Sequence, residues 1–301
     1  MLLNDELMSN NFNFQGLHAL IIDIDGTLWR GNQPLPGLVD FFDWLQRRGL
    51  AYMVVTNNTV KAPSQYWQKF VEAGVSMPPD RILTASVATA EYLKQHYEPG
   101  ASVYVIGEAG LKHALRQAGF TLTDNLSPPA EVVVVGGDTG LTYDKLKYAV
   151  LSIQRGACFV GANPDYLIPT EEGLVPEAGA TLAALQAVTG VSPKVIGKPD
   201  ALLFELAVKK MGSHPHQTAV VGDRLDTDIL GGQRAGLKTI LLTTGVDNAQ
   251  TAAEKGIYPD AIFSGLTELT AVWQAKVRTG DEVDLTTGSR PTRSRGDDGN
   301  D

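Results

Sequence analysis

At 301 residues, 43% of them hydrophobic and 20% charged, the chain has the composition of an ordinary soluble protein, long enough for a large buried core and two domains. No run approaches the ~18 consecutive apolar residues of a membrane span, and the opening MLLNDELMSNNFNFQG carries acids where a secretory signal has a basic start and an apolar centre, so the chain is expected in the cytoplasm and away from the membrane. A formal net charge of −9 argues against a nucleic-acid surface, and a single cysteine, Cys158, excludes an intrachain disulfide and any multi-cysteine metal site.

In chain order, Ala19 to Ile24 reads as a strand, Leu38 to Arg48 as a helix with Phe41, Phe42 and Leu45 inward, and Ala51 to Thr56 as the next strand. This βαβ alternation predicts a parallel sheet covered by helices. A helix from about Ser64 to Ala73 follows. A second α/β unit then reads as the strand Ser102 to Ile106, a helix to Ala118, the strand Glu131 to Val135 and a helix near Thr142 to Arg155. Cys158 sits in the apolar run Ala157 to Val160, which fits a small buried side chain rather than a nucleophile. A helix is expected to begin at Pro199, since proline suits a first helical turn. The last third gives the strand Thr218 to Val221, a helix from Asp228 to Ala235, the strand Leu237 to Leu242 and a closing helix from Leu266 to Lys276. The terminal run DEVDLTTGSRPTRSRGDDGND holds two large aliphatic residues and no aromatic, too little to order itself.

The first strand ends in Asp23-Ile24-Asp25-Gly26-Thr27. Two carboxylates one residue apart repel, and one would take up a proton unless a cation neutralised the pair. A hard divalent ion with oxygen ligands is the natural partner, and Mg²⁺ binds through one or two carboxylates together with a substrate phosphate. Asp-x-Asp-Gly is also an ordinary turn signal. Its position at the carboxyl end of a strand, where open α/β sheets bind ligands, favours chemistry.

Three further clusters follow strands or apolar pairs. Thr56-Asn57-Asn58 offers a hydroxyl, backbone amides and two carboxamides to a phosphate oxygen, or else a plain Asn turn. Lys198, between Gly197 and Pro199, offers a point charge to a phosphate, although most lysines are solvated. Asp223, Asp226 and Asp228 leave a strand and enter a helix; three acids within six residues exceed what helix capping needs, and Asp223 at the strand end is the best candidate for a further metal ligand.

The order DIDGT, TNN, GKP and GDRLDTDI resembles the haloacid dehalogenase superfamily of phosphohydrolases, over about Leu17 to Lys276. The insert between TNN and GKP, with Gly136-Gly137-Asp138, Gly161-Ala162-Asn163-Pro164-Asp165 and Pro176-Glu177-Ala178-Gly179, is similar to the α/β cap of the NagD and 4-nitrophenylphosphatase branch, which includes phosphoglycolate and vitamin B6 phosphatases. Glu177 departs from the Pro-Gly-x-Gly of many relatives, and the cap histidine typical of vitamin B6 phosphatases has no counterpart between Asp165 and Gly173. The resemblance implies a doubly wound, Rossmann-like α/β core over residues 1–82 and 196–277, a large inserted α/β cap over 83–195 and a disordered tail over 278–301.

It also implies a Mg²⁺-dependent phosphomonoester hydrolase acting on a small phosphorylated metabolite through an aspartyl-phosphate, with a nucleotidase as the alternative within the family to a phosphoglycolate or sugar phosphatase. Asp23 would be the nucleophile and Asp25 the general acid and base. Asp23, the Asp25 carbonyl and Asp223 would hold the metal, with Asp228 in support, and Thr56, Asn57, Asn58 and Lys198 would bind the phosphoryl group. Glu177 is expected at the pocket mouth, where it would bear on the leaving group. A small phosphate ester is the expected partner, with no nucleic acid or membrane; cap-mediated dimers are common among similar proteins. A receiver-type phosphoacceptor also combines Mg²⁺, acids, a threonine and a lysine. It needs only ~120 residues and carries its acid pair and its phosphoacceptor on different strands, which disfavours it here.

Overall fold

The structure, a computed structural model, describes residues 12–170 and 172–279. The first part of the chain forms β1 (Ala19–Asp23), the short ribbon β2 (Trp29–Arg30) and β3 (Gln33–Pro34), α1 (Leu38–Arg47), β4 (Ala51–Thr56), α2 (Pro63–Glu72), β5 (Ile82–Thr84) and α3 (Ala85–Lys94). The middle runs β6 (Ser102–Ile106), α4 (Ala109–Gln117), β7 (Thr121–Leu122), β8 (Val132–Val135), α5 (Tyr143–Gln154), β9 (Cys158–Gly161), the hairpin β10 (Leu167–Thr170) and β11 (Gly173–Pro176), α6 (Ala178–Thr189) and β12 (Lys194–Val195). The last part adds α7 (Ala201–Met211), β13 (Thr218–Gly222), α8 (Leu230–Arg234), β14 (Lys238–Leu242), α9 (Ala249–Lys255), β15 (Ala261–Phe263) and α10 (Leu266–Thr279).

Six strands form one parallel sheet in the order β15-β14-β13-β1-β4-β5. The chain leaves β1 toward β4 on one side and returns to β13 on the other, so the strand order switches direction beside β1. In open α/β sheets the crevice for ligands lies at such a switch, outside the carboxyl ends of the strands. Every residue of β1 is buried, as a central strand with helices on both faces requires. On one face Phe41, Phe42 and Leu45 of α1 pack with Trp29, Phe70 and Trp273; on the other Leu203, Phe204 and Ala207 of α7 pack with Ile21 and Val220.

The insert forms a second parallel sheet, β12-β9-β8-β6-β7, with its own core of Ile106, Val133, Val135, Phe159 and Leu182 on one face. The doubly wound parallel core and the inserted α/β unit are therefore both present.

Four local expectations change. The helix placed at Pro199 starts two residues later, because the Asp200 side chain accepts the Leu202 N–H at 3.1 Å and caps it there. The helix placed over Asp228 to Ala235 is a wide turn over Leu225–Ile229 followed by the short α8. Cys158 opens β9 half-buried rather than fully buried. Residues 278 and 279, assigned to the tail, continue α10, and the rest of that expected tail lies outside the described residues. No helix among the described residues is long and apolar enough to cross a membrane.

Candidate active site

Three carboxylates meet at the switch between β1 and β13. Asp23 closes β1, Asp223 follows β13 directly and Asp228 comes from the wide turn; one oxygen from each lies within 4.8 Å of the others, and all three residues are buried. Lys198 Nζ stands 2.5 Å from Asp23 Oδ1 and 2.6 Å from Asp228 Oδ1. The surrounding loops hold Asp223 and the other oxygen of Asp228. Asp223 accepts the Val246 N–H at 2.9 Å and the Thr27 hydroxyl at 3.3 Å, and Asp228 accepts the Arg224 N–H at 3.2 Å. Glycine is required on both sides of Asp223: Gly26 has φ +91°, and a Cβ on it or on Gly245 would collide with the Asp223 carboxylate.

Burial sets the electrostatics. It pushes Asp23 well above the usual carboxylate range, with Lys198 pulling it back and Asp228 and Asp223 adding to the rise. Asp223 is pushed up to about 6 by burial and then by Asp228. Burial would lower Lys198, but Asp228 and Asp23 outweigh it and hold the ammonium charged. When all three acids are ionised, three buried carboxylates face one ammonium, and two negative charges are left over. An all-oxygen donor set with a surplus of two charges fits a hard divalent cation.

Asp25 is set apart from this cluster. Its side chain is exposed and lines the same cavity, two residues beyond Asp23 where β1 has given way to its turn. Thr56 and Asn57, both buried, lie at the carboxyl end of β4 and face that cavity with the half-buried Asn58. Their side chains have local duties. The Thr56 hydroxyl accepts the Asn58 N–H at 3.1 Å, and Asn58 Oδ1 accepts the N–H groups of Val60 and Lys61 at 3.0 and 2.9 Å, a turn made by an asparagine side chain. The Asn57 carboxamide ties the loop to Lys198, accepting its N–H at 2.7 Å and donating to its carbonyl at 2.9 Å. That pair of bonds fixes the lysine backbone beside Asp23.

The cavity, about 730 Å³, is walled by both sheets' loops. From the insert, Asp165 accepts the Asn57 amide at 3.1 Å and pairs with Arg224 at 3.4 Å, and Arg224 forks to Asp226 at 3.3 Å. Glu177 lines the cavity half-buried, with Oε1 close over Gly137, and burial pushes its carboxyl up. Sequence reasoning passed over Arg224, Asp165, Lys61, Tyr66 and Lys69 as site residues. The signal for the first two was present, since Arg224 directly follows Asp223 and Asp165 ends a run of turn residues in the insert. For Lys61, Tyr66 and Lys69 only the fold brings them in.

Comparison with known proteins adds to this geometry. A haloacid dehalogenase-like hydrolase model matches residues 20–121, and a second HAD-hydrolase-like model matches residues 195–269. An acid sugar phosphatase of Staphylococcus aureus is 38% identical over 253 residues, covering 84% of this chain and 96% of the relative. Among solved structures, NagD from E. coli K-12 superposes with a TM-score of 0.77 at 34% identity, covering 84% of this chain and 98% of NagD. A glycerol phosphate phosphatase from Mycobacterium tuberculosis, solved in complex with magnesium, superposes with a TM-score of 0.78 at 33% identity, covering 87% of this chain and 78% of that one.

Proposed function

The chain belongs to the haloacid dehalogenase-like hydrolases, as a phosphatase of the NagD branch, and from that premise we propose that it hydrolyses a small phosphorylated metabolite, such as a sugar phosphate, with Asp23 as nucleophile. The observation that carries this reading is Asp23 itself, buried at the carboxyl end of the central strand, open to the cavity and flanked by two acids and a charged lysine.

In the proposed first step a carboxylate oxygen of Asp23 forms a bond to phosphorus as the ester P–O bond breaks, and Asp25 gives its proton to the departing alkoxide. In the second, Asp25 takes a proton from a water that attacks the phosphorus; the acyl phosphate bond breaks, releasing inorganic phosphate and restoring Asp23. Alcohol leaving groups need that proton and halides do not, so Asp25 suits ester hydrolysis. Lys198 offers its ammonium to the transferring phosphoryl group, with Thr56 and the Asn57 loop around it. Asp23, Asp223 and Asp228, with the Asp25 carbonyl, would hold a divalent ion such as Mg²⁺, whose charge would offset the acids and the phosphoryl oxygens. The relative solved with magnesium supports that choice of ion. The residues 83–195 we take as the cap over this site. A receiver-type phosphoacceptor draws support neither from the phosphatase relatives nor from the placement of Asp23 and Asp25 together at the end of one strand.

The test is Asp23→Asn. The amide cannot form an acyl phosphate, so phosphate release from a panel of esters in Mg²⁺ should fall by at least about a thousandfold, removing the nucleophile being among the largest single losses in covalent catalysis. Circular dichroism should remain that of the parent. Near-parental turnover by this variant would sink the assignment.

A further inference from the structure

Five basic side chains line the cavity: Arg30, Lys61, Lys69, Lys198 and Arg224. Lys198 and Arg224 are committed to ion pairs with acids of the site. Among the described residues, Arg30, Lys61 and Lys69 form no ion pair, in a chain whose net charge is −9 and whose cavity holds acids besides. These three lie together on core elements, with Arg30 on β2, Lys61 before α2 and Lys69 on α2.

Aromatic faces and carbonyls hold them in place. Lys69 Nζ donates to the Gly31 carbonyl at 2.9 Å and stands 4.9 Å from the ring centroid of Trp29, which is buried and packed edge-on against Phe70. Lys61 Nζ stands 5.8 Å from the ring of Tyr66, also buried. Arg30 donates to the Thr244 carbonyl at 2.7 Å. Tyr66 and Lys69 are three residues apart on α2 and so share one helix face. Cations fixed over rings lose less freedom on meeting an anion than free surface lysines do. The acids facing the leaving-group space from the insert do not answer them, since Asp165 is bound by Asn57 and Arg224 and Glu177 lies against Gly137.

We propose that the alcohol released from the substrate carries a second anionic group, a carboxylate or a phosphate, which Lys61 and Lys69 receive, with Arg30 at the rim. This rests on the phosphatase reading above. It assigns these cations to the leaving group and leaves the transferring phosphoryl to Lys198.

Two matched ester pairs test it, each read as a ratio of kcat/KM in Mg²⁺: 2-phosphoglycolate against 2-hydroxyethyl phosphate, and fructose 1,6-bisphosphate against fructose 1-phosphate. The parent protein should prefer the anionic member of at least one pair, and which pair shows it distinguishes carboxylate from phosphate. Lys61→Met with Lys69→Met should cut that ratio by roughly tenfold or more, mostly through KM, because charge-assisted hydrogen bonds to the anion are lost. Lys69→Arg should keep most of it. Ratios near one in the parent, or an equal loss on both members of each pair in the double variant, would overturn the proposal, the latter by assigning the lysines to the phosphoryl group. Turnover of 4-nitrophenyl phosphate with ratios near one overturns this inference alone, whereas no turnover of any ester overturns the phosphatase reading as well.

Discussion

Lys198 is the hinge of the site at the level of single residues, because among the described residues it is the one cation paired with the buried acids Asp23 and Asp228. Removing one partner of a buried ion pair leaves the other desolvated and unpaired, which costs about 3 kcal/mol or more. Lys198→Met should therefore lower the melting temperature of the metal-free protein clearly. A saturating divalent ion should recover much of that loss while turnover stays low, since the metal can neutralise the acids but cannot take the lysine's place at the phosphoryl group. An unchanged metal-free melting temperature would show that the buried acids need no cationic partner in the native state. Residue types at strand ends made this much legible in the sequence: a lysine after an apolar pair, and acids after two strands. The resemblance already favours Asp223 and Asp228 over Asp226, and the backbone adds the geometric reason. The wide turn over Leu225–Ile229 directs Asp228 inward to Lys198 and leaves Asp226 half-exposed beside Arg224.

Among elements, the hydrophobic pattern revealed those with large inward side chains and missed those packed on small or exposed ones. The helix α1 shows Phe41, Phe42 and Leu45 at helical spacing, so its period is plain. The helix α3 buries Ala85, Ser86, Ala88, Thr89 and Ala90, and small residues leave no apolar stripe to read. The helix α6 is similar, burying Ala178, Gly179, Leu182 and Leu185. The hairpin β10 and β11 carries exposed Leu167 and Leu174, so its alternation marks no covered face. Of these, α6 and the hairpin flank Asp165, which precedes β10 and reaches Asn57 and Arg224 on the core. Asp165→Ala should loosen that bridge between cap and core. Because the Arg224 side of the pair is one-third exposed, its loss should change stability by less than about 1 kcal/mol. Its effect on catalysis should be larger, roughly a tenfold fall in kcat/KM, since the Asn57 loop that fixes the Lys198 backbone would lose one of its bonds. Unaltered kinetics in this variant would mean that the bridge is incidental to catalysis.

For the whole molecule the governing fact is charge. An acidic chain is proposed to bind a phosphate dianion at a point where three of its own acids converge, and long-range repulsion works against that encounter. Lys198 offsets one of the three charges, and the cations at the cavity mouth lie outside the cluster. A divalent ion held by Asp23, Asp223 and Asp228 would bring the cluster to neutrality and so permit the dianion to enter. Metal removal should then abolish both turnover and the binding of inorganic phosphate. Restoring Mg²⁺ should recover rate and raise the melting temperature, by about 2.7 kcal/mol of stability when the ion is at a hundred times its Kd. Ca²⁺ should raise the melting temperature as well but restore the rate poorly, because its larger, looser coordination tolerates misalignment of the reacting groups. Phosphate binding that survives exhaustive chelation, read by calorimetry, would show that Lys198 and the cavity cations are sufficient on their own, and the account of the three acids as a metal site would have to be given up.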